Sequence, residues 1–120
     1  MTFATRPILF LVVLALTFWS ATPSRAAAGQ DAAQIKKGQD VYAAQKCQVC
    51  HAIDGKGNKA SPLDGVGAKL SATDIREWIT HPTEMTAKTK SEKKPPMPAK
   101  WTSLPPAELD PLVAYLASLK

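Results

Sequence analysis

Cys47-Gln48-Val49-Cys50-His51 is the stretch on which the reading of this 120-residue chain turns. It holds the chain's two cysteines, three positions apart, and one of its two histidines directly after them. A disulfide across this pair would close only a tiny loop and would constrain the unfolded chain little. A redox-active dithiol wants a thioredoxin-like βαβ setting, and no strand pattern is visible anywhere in the sequence. Zinc wants further Cys or His ligands, and His81 is the one other histidine.

The spacing C-x-x-C-H is the attachment signature of c-type haem, in which each thiol adds to a vinyl group and leaves a thioether. Cys47 and Cys50 would then fix the porphyrin edge to the chain, and His51 would turn its ring beneath the iron as an axial ligand.

The residues before the motif suit export, where such attachment is made. Arg6 is followed by an apolar run from Ile8 to Trp19 and then by Ala26-Ala27-Ala28, the outline of a secretory signal peptide. The run is about 12 residues long, short of the roughly 20 that cross a bilayer core. Residues 1–28 are therefore expected to be removed, with cleavage after Ala28 and Ala26 as the second choice, leaving a domain over 29–120 in the periplasm. Such a small domain buries limited apolar surface of its own, and a large apolar cofactor would supplement its core.

Within that domain, residues 32–46 place Ile35, Gly38, Tyr42 and Gln45 at helical spacing and lead straight into the cysteines. Gly38 inside a helix suggests close approach by another backbone or ring. Turn formers crowd Ala52 to Lys69, which reads as a loop. Ser71-Ala72-Thr73-Asp74 resembles a capping box, with Leu70 and Ile75 as its hydrophobic staple, and the helix it opens should end at His81-Pro82. Residues 82–104 read as one long proline-rich connection. From Pro106 the leucines at 109, 112, 116 and 119, with Val113, mark a last helix, in which Pro111 should remove a backbone bond and bend the axis.

Over residues 30 to 120 this order of features resembles the class I monohaem cytochromes c, especially the small bacterial periplasmic ones. The matching features are Gly38 and Tyr42 before the motif, a middle helix over Ser71 to Thr80, the stretch Lys93-Lys94-Pro95-Pro96-Met97-Pro98 and the aromatic-leucine pair Tyr115-Leu116. The resemblance implies an all-α fold, with three main helices and long loops around one covalent haem c. It implies that the first and last helices cross, and that the methionine loop delivers an axial ligand. It also implies that Pro62 offers its carbonyl to the outer nitrogen of His51. Ser61 stands where the family usually has glycine, and Pro105 where it often has a serine-like cap.

Beyond residue 28 the candidate thioethers for the sixth iron position are Met97 and Met85. Met97 is favoured, because the flanking prolines Pro95, Pro96 and Pro98 lower the ordering cost of presenting it; Met85 is the runner-up and His81 a bis-histidine alternative. A soft methionine opposite histidine favours reduced iron and suits an electron carrier. Trp101 follows the methionine loop, and its indole N–H could meet a haem propionate; Trp78 is expected in plain core packing.

The full chain carries 15 basic and 10 acidic residues, and removing Arg6 and Arg25 leaves 13 against 10, or +3. Net charge alone names no partner, and no nucleic acid is expected. Five lysines between Lys88 and Lys100 face only Glu92, so an acidic redox partner could dock on that face. The expectation is a monomeric single-electron carrier that is not an enzyme. Its rivals are a haem enzyme or gas-binding protein with an open sixth position, and a membrane-tethered haem subunit of a respiratory complex.

Overall fold

A computed structural model describes residues 25–120, with side chains described from Asp31 onward. The expected signal segment, residues 1–28, lies outside the described residues except for its last four, which open the first helix. Among the described residues no helix is long and apolar enough to cross a membrane.

Two long helices carry the core: α1 (Arg25–Ala44) and α5 (Pro106–Ser118). Their apolar faces share one core, Val41 and Tyr42 on α1 clustering with Leu109, Leu112, Val113, Tyr115 and Leu116 on α5. They cross at Gly38. A methyl group there would lie 2.5 Å from Tyr115 Cβ and 2.8 Å from the carbonyl carbon of Pro111. Only glycine permits that approach, which offsets its cost of up to about 1 kcal/mol inside a helix. Pro111 is buried at this contact, and α5 runs on through it. Tyr42 and Tyr115 pack edge to face beside the crossing, with centroids 6.0 Å apart.

Helix α2 (Val66–Lys69) docks on the end of α5 through Gly67 N–H, which donates to Leu119 O at 2.8 Å. Helix α3 (Ala72–Thr80) begins with the expected capping box: Ser71 Oγ accepts from Asp74 N–H at 3.1 Å, and Asp74 Oδ2 accepts from Ser71 N–H at 3.3 Å. The hydrogen bonds from Ser71 hold the exposed Asp74 carboxyl below its usual pKa. Ile75 and Ile79 bury the inner face.

Residues 82–104 are not one connection, because Pro82–Thr89 forms a further helix, α4. His81, at φ −133° and ψ 53°, ends α3 and begins α4 at once. Proline at the first helical position loses no hydrogen bond, so Pro82 both stops one helix and starts the next. The irregular loop is confined to 91–104, where Ala99–Trp101 makes a single tight turn.

The 52–69 loop holds a small hairpin, β1 (Ala52–Ile53) pairing with β2 (Lys56–Gly57) in antiparallel register, Ala52 opposite Gly57. Asp54 (φ 51°) and Gly55 (φ 72°) form its two-residue turn, both in the left-handed region that such tight hairpins require. The architecture is all-α, with α1, α3 and α5 as its principal helices and this hairpin braced beneath the cysteine motif.

Candidate functional site

Helix α1 delivers the motif. It ends at Ala44, Lys46 turns the chain through the left-handed region (φ 56°), and Cys47–Val49 follow as one tight helical turn. His51 N–H donates to Cys47 O at 3.0 Å, closing the turn on itself.

The hairpin then grips that turn. Asn58 N–H is shared between Gln48 O and His51 O, each at 3.1 Å, and Asn58 Nδ2 donates to Val49 O at 3.2 Å. Tyr42 OH reaches His51 O at 3.3 Å from α1. Gly57, at φ 103°, lies under the motif with its Cα facing the His51 carbonyl; a methyl group there would also lie 2.9 Å from Gln48 O. Asn58 and Gly57 belong to the site, although the sequence showed them only as turn formers.

His51 Nδ1 is 3.0 Å from the carbonyl oxygen of Ser61. A carbonyl can only accept, so Nδ1 carries the proton and Nε2 keeps its lone pair for a metal. The expected partner, Pro62, does not fill this role. Pro62 bridges in parallel to Ala52, Ala52 N–H approaches Ser61 O at 3.4 Å, and Leu63 N–H donates to Ala52 O at 2.8 Å. This bridge turns the Ser61 carbonyl, one residue earlier, toward the ring.

Cys47, Cys50 and His51 line a cavity of about 510 Å³, with Met97 on the same lining. That volume lies within the roughly 300–1,000 Å³ of pockets enclosing sizeable ligands. Much of its wall is apolar, with Leu63, Leu70, Ile75 and Leu116 among the contributors. Met85 is buried at 4% exposure within α4 and does not reach this wall, and His81 also lies away from it. His81 Nδ1 instead pairs with Thr80 Oγ1 at 2.8 Å.

Trp78 and Trp101 both line the cavity, so Trp78 is a wall residue rather than part of the closed core. Trp101 Nε1–H donates to Gln45 Oε1 at 3.1 Å, so the side chain that directly follows α1 satisfies the indole for which the sequence suggests a propionate. Of the lysines, Lys93 and Lys94 border the cavity together with Lys46, and Lys100 lies 5.5 Å from the Trp101 ring centroid. Lys88 and Lys90, at the end of α4, lie off the lining.

The chemistry of the donors separates the possible uses of this motif. Burial pushes the Cys47 thiol up to about 11, opposite to the lowered thiol pKa on which a dithiol redox centre depends. No cluster of three or more His, Cys, Asp or Glu side chains suited to a metal ion occurs among the described residues. Two thiols, an oriented imidazole and a thioether around one apolar cavity do fit a covalently held haem.

Comparison with known proteins agrees. Residues 35–120 match the family described as cytochrome c, while no curated protein and no solved structure matches the chain. The match takes in α1 from Ile35, the motif, the cavity walls and α5, and on that ground the chain belongs to the cytochrome c family, whose covalently attached haem c carries electrons between redox partner proteins.

Proposed function

We propose that the protein is a periplasmic single-electron carrier holding one haem c, with His51 and Met97 as axial ligands and no substrate chemistry of its own. The observation that carries this reading is the shared cavity: the C-x-x-C-H residues and Met97 line the same apolar space, while Met85 and His81 do not.

The haem iron, when bound, gains and loses one electron. Every other part of the task falls to the chain. Cys47 and Cys50 retain the group through transient encounters, and Ser61 O holds the His51 imidazole in the tautomer that leaves Nε2 free. Met97 offers a soft, neutral donor that favours reduced iron. The leucine and isoleucine walls exclude water. Keeping both ligands in each oxidation state limits rearrangement on transfer.

Export rests on the 1–28 segment, with its short apolar run and alanines. Lys46, Lys93 and Lys94 on the cavity lining, with Lys100 beside Trp101, form a positive rim, which would speed encounter with an acidic partner at low ionic strength.

The test is the optical spectrum of matured protein, oxidised and reduced, with and without carbon monoxide, beside Met97→Ala. The wild type is expected to be low-spin, to show the methionine-to-iron charge-transfer band and to resist carbon monoxide, and the variant to lose both properties. A high-spin wild type that binds carbon monoxide readily would overturn the carrier assignment in favour of an open sixth position.

A further inference from the structure

The segment that carries Met97 is weakly tied to the rest of the molecule. Among the described residues, two hydrogen bonds leave the segment between Glu92 and Leu104: Lys93 Nζ to Ala60 O at 3.3 Å, exposed, and Trp101 Nε1–H to Gln45 Oε1 at 3.1 Å, partly buried. A lysine on solvent holds little, since its ordering entropy offsets most of what one long, exposed bond contributes. The Trp101 indole is therefore the principal polar tether of the loop.

Its acceptor is itself oriented. Gln45 Nε2 donates to Glu108 Oε2 at 2.9 Å, in the first turn of α5. A carboxylate accepts and cannot donate, so Glu108 commands the NH₂ end of the amide and leaves the oxygen end facing Trp101. Gln45 follows directly on α1, two residues before Cys47, with its N–H on Val41 O at 2.8 Å. The chain Glu108–Gln45–Trp101 thus links α5, the end of α1 and the methionine loop through one side chain, across 63 and 56 residues of sequence.

We infer that Gln45 is a positioning residue for the sixth iron ligand, latching the 91–104 loop closed so that Met97 stays on the metal. It touches neither haem nor iron; it acts through Trp101. The inference rests on Met97 being the ligand. An external ligand that competes with Met97 binds only when the loop is open, so its apparent affinity scales with the open fraction. Breaking the latch should raise that fraction.

Imidazole binding to oxidised, matured holoprotein, followed by loss of the charge-transfer band, reads this directly. Gln45→Leu removes the acceptor at nearly constant volume, and Trp101→Phe removes the donor while keeping a ring in the wall. Each is expected to tighten apparent imidazole binding by roughly three- to tenfold, the range that corresponds to one hydrogen bond. The double variant should go little beyond either single one, because both remove the same bond. Faster exchange of the Trp101 indole proton in Gln45→Leu is the second expected sign.

Unchanged imidazole affinity in both single variants, or full multiplication of their effects in the double, would overturn the latch. A fall in global unfolding stability without a change in imidazole affinity would overturn it too, leaving Gln45 only a structural part. Failure of the ligand assignment looks different: wild type would then bind imidazole as tightly as Met97→Ala. If Gln45→Leu does not mature, Trp101→Phe alone decides, and unchanged affinity there sinks the proposal.

Discussion

The two sides of the cavity are built in opposite ways. On the His51 side, the turn is held by hydrogen bonds donated by Tyr42 and Asn58 and by the one His51 Nδ1–H donates to Ser61 O, and Gly57 packs against its carbonyls. On the Met97 side, three prolines stiffen an exposed loop whose principal polar tether is Gln45. In the proposed ligation, one ligand is fixed by many local contacts close in sequence and the other by chain stiffness and the bond to Gln45. The contrast suits the covalent chemistry: the thioethers demand a rigid turn at Cys47 to His51, whereas a thioether donor needs only to be kept near its metal. Local unfolding should accordingly begin in the loop and spare the turn.

The sharpest way to break this contrast is Gly57→Ala. The position combines φ 103° with a methyl group directed at the carbonyls of His51 and Gln48, so backbone must move. Left-handed strain and overpacking each cost about 1–3 kcal/mol, and together about 2–6 kcal/mol of unfolding free energy should be lost. Denaturant unfolding of matured protein measures it, and the yield of haem-stained band on denaturing gels should drop in parallel. A cost under about 1 kcal/mol would mean the hairpin does not brace the motif.

How much of this was readable beforehand follows the range of the interactions involved. The motif, the α1 and α5 stripes, the Ser71 capping box and the meaning of Gly38 were legible, because each is written in neighbouring residues or in one helical period. Asp54-Gly55 carried a recognised tight-hairpin signal, yet it was submerged among the other turn formers of 52–69. Helix α4 is hidden in the sequence because a proline after a helix signals a stop, while the same residue is equally suited to the first position of the next helix. The choice of Ser61 over Pro62 depends on which way a peptide plane faces, set by the bridge to Ala52 and invisible in residue types. Gln45 to Trp101 pairs residues 56 apart, and nothing local marks either as the other's partner.

A smaller effect sharpens the same comparison by placing matched truncations on the two sides. Asn58→Ala removes the bond to Val49 O and the one that Asn58 Oδ1 accepts from Ala60 N–H at 3.0 Å, and should cost about 1–2 kcal/mol. Lys93→Ala removes the exposed bond to Ala60 O and should stay within about 0.5 kcal/mol. Equal losses in the two variants would erase the asymmetry.

A further effect lies at alkaline pH, on the His51 side. Burial pushes the Tyr42 hydroxyl up to about 12, from an ordinary value near 10. The unfolded chain therefore gives up this proton near pH 10, while the folded chain holds it until about pH 12. Between those values the folded state binds more protons, so stability that is fully present below pH 10 falls as the pH rises through the window. Tyr42→Phe removes that slope. At pH 8 it should cost only the weak 3.3 Å bond to His51 O, about 0.5–1 kcal/mol, and the gap to wild type should narrow as the pH approaches 11. Denaturation midpoints of the two proteins at several pH values, with the lysines common to both, test this. Parallel curves from pH 8 to 11 would show that Tyr42 ionises as freely in the folded protein as in the unfolded chain, and that this wall of the site is wetter than its packing indicates.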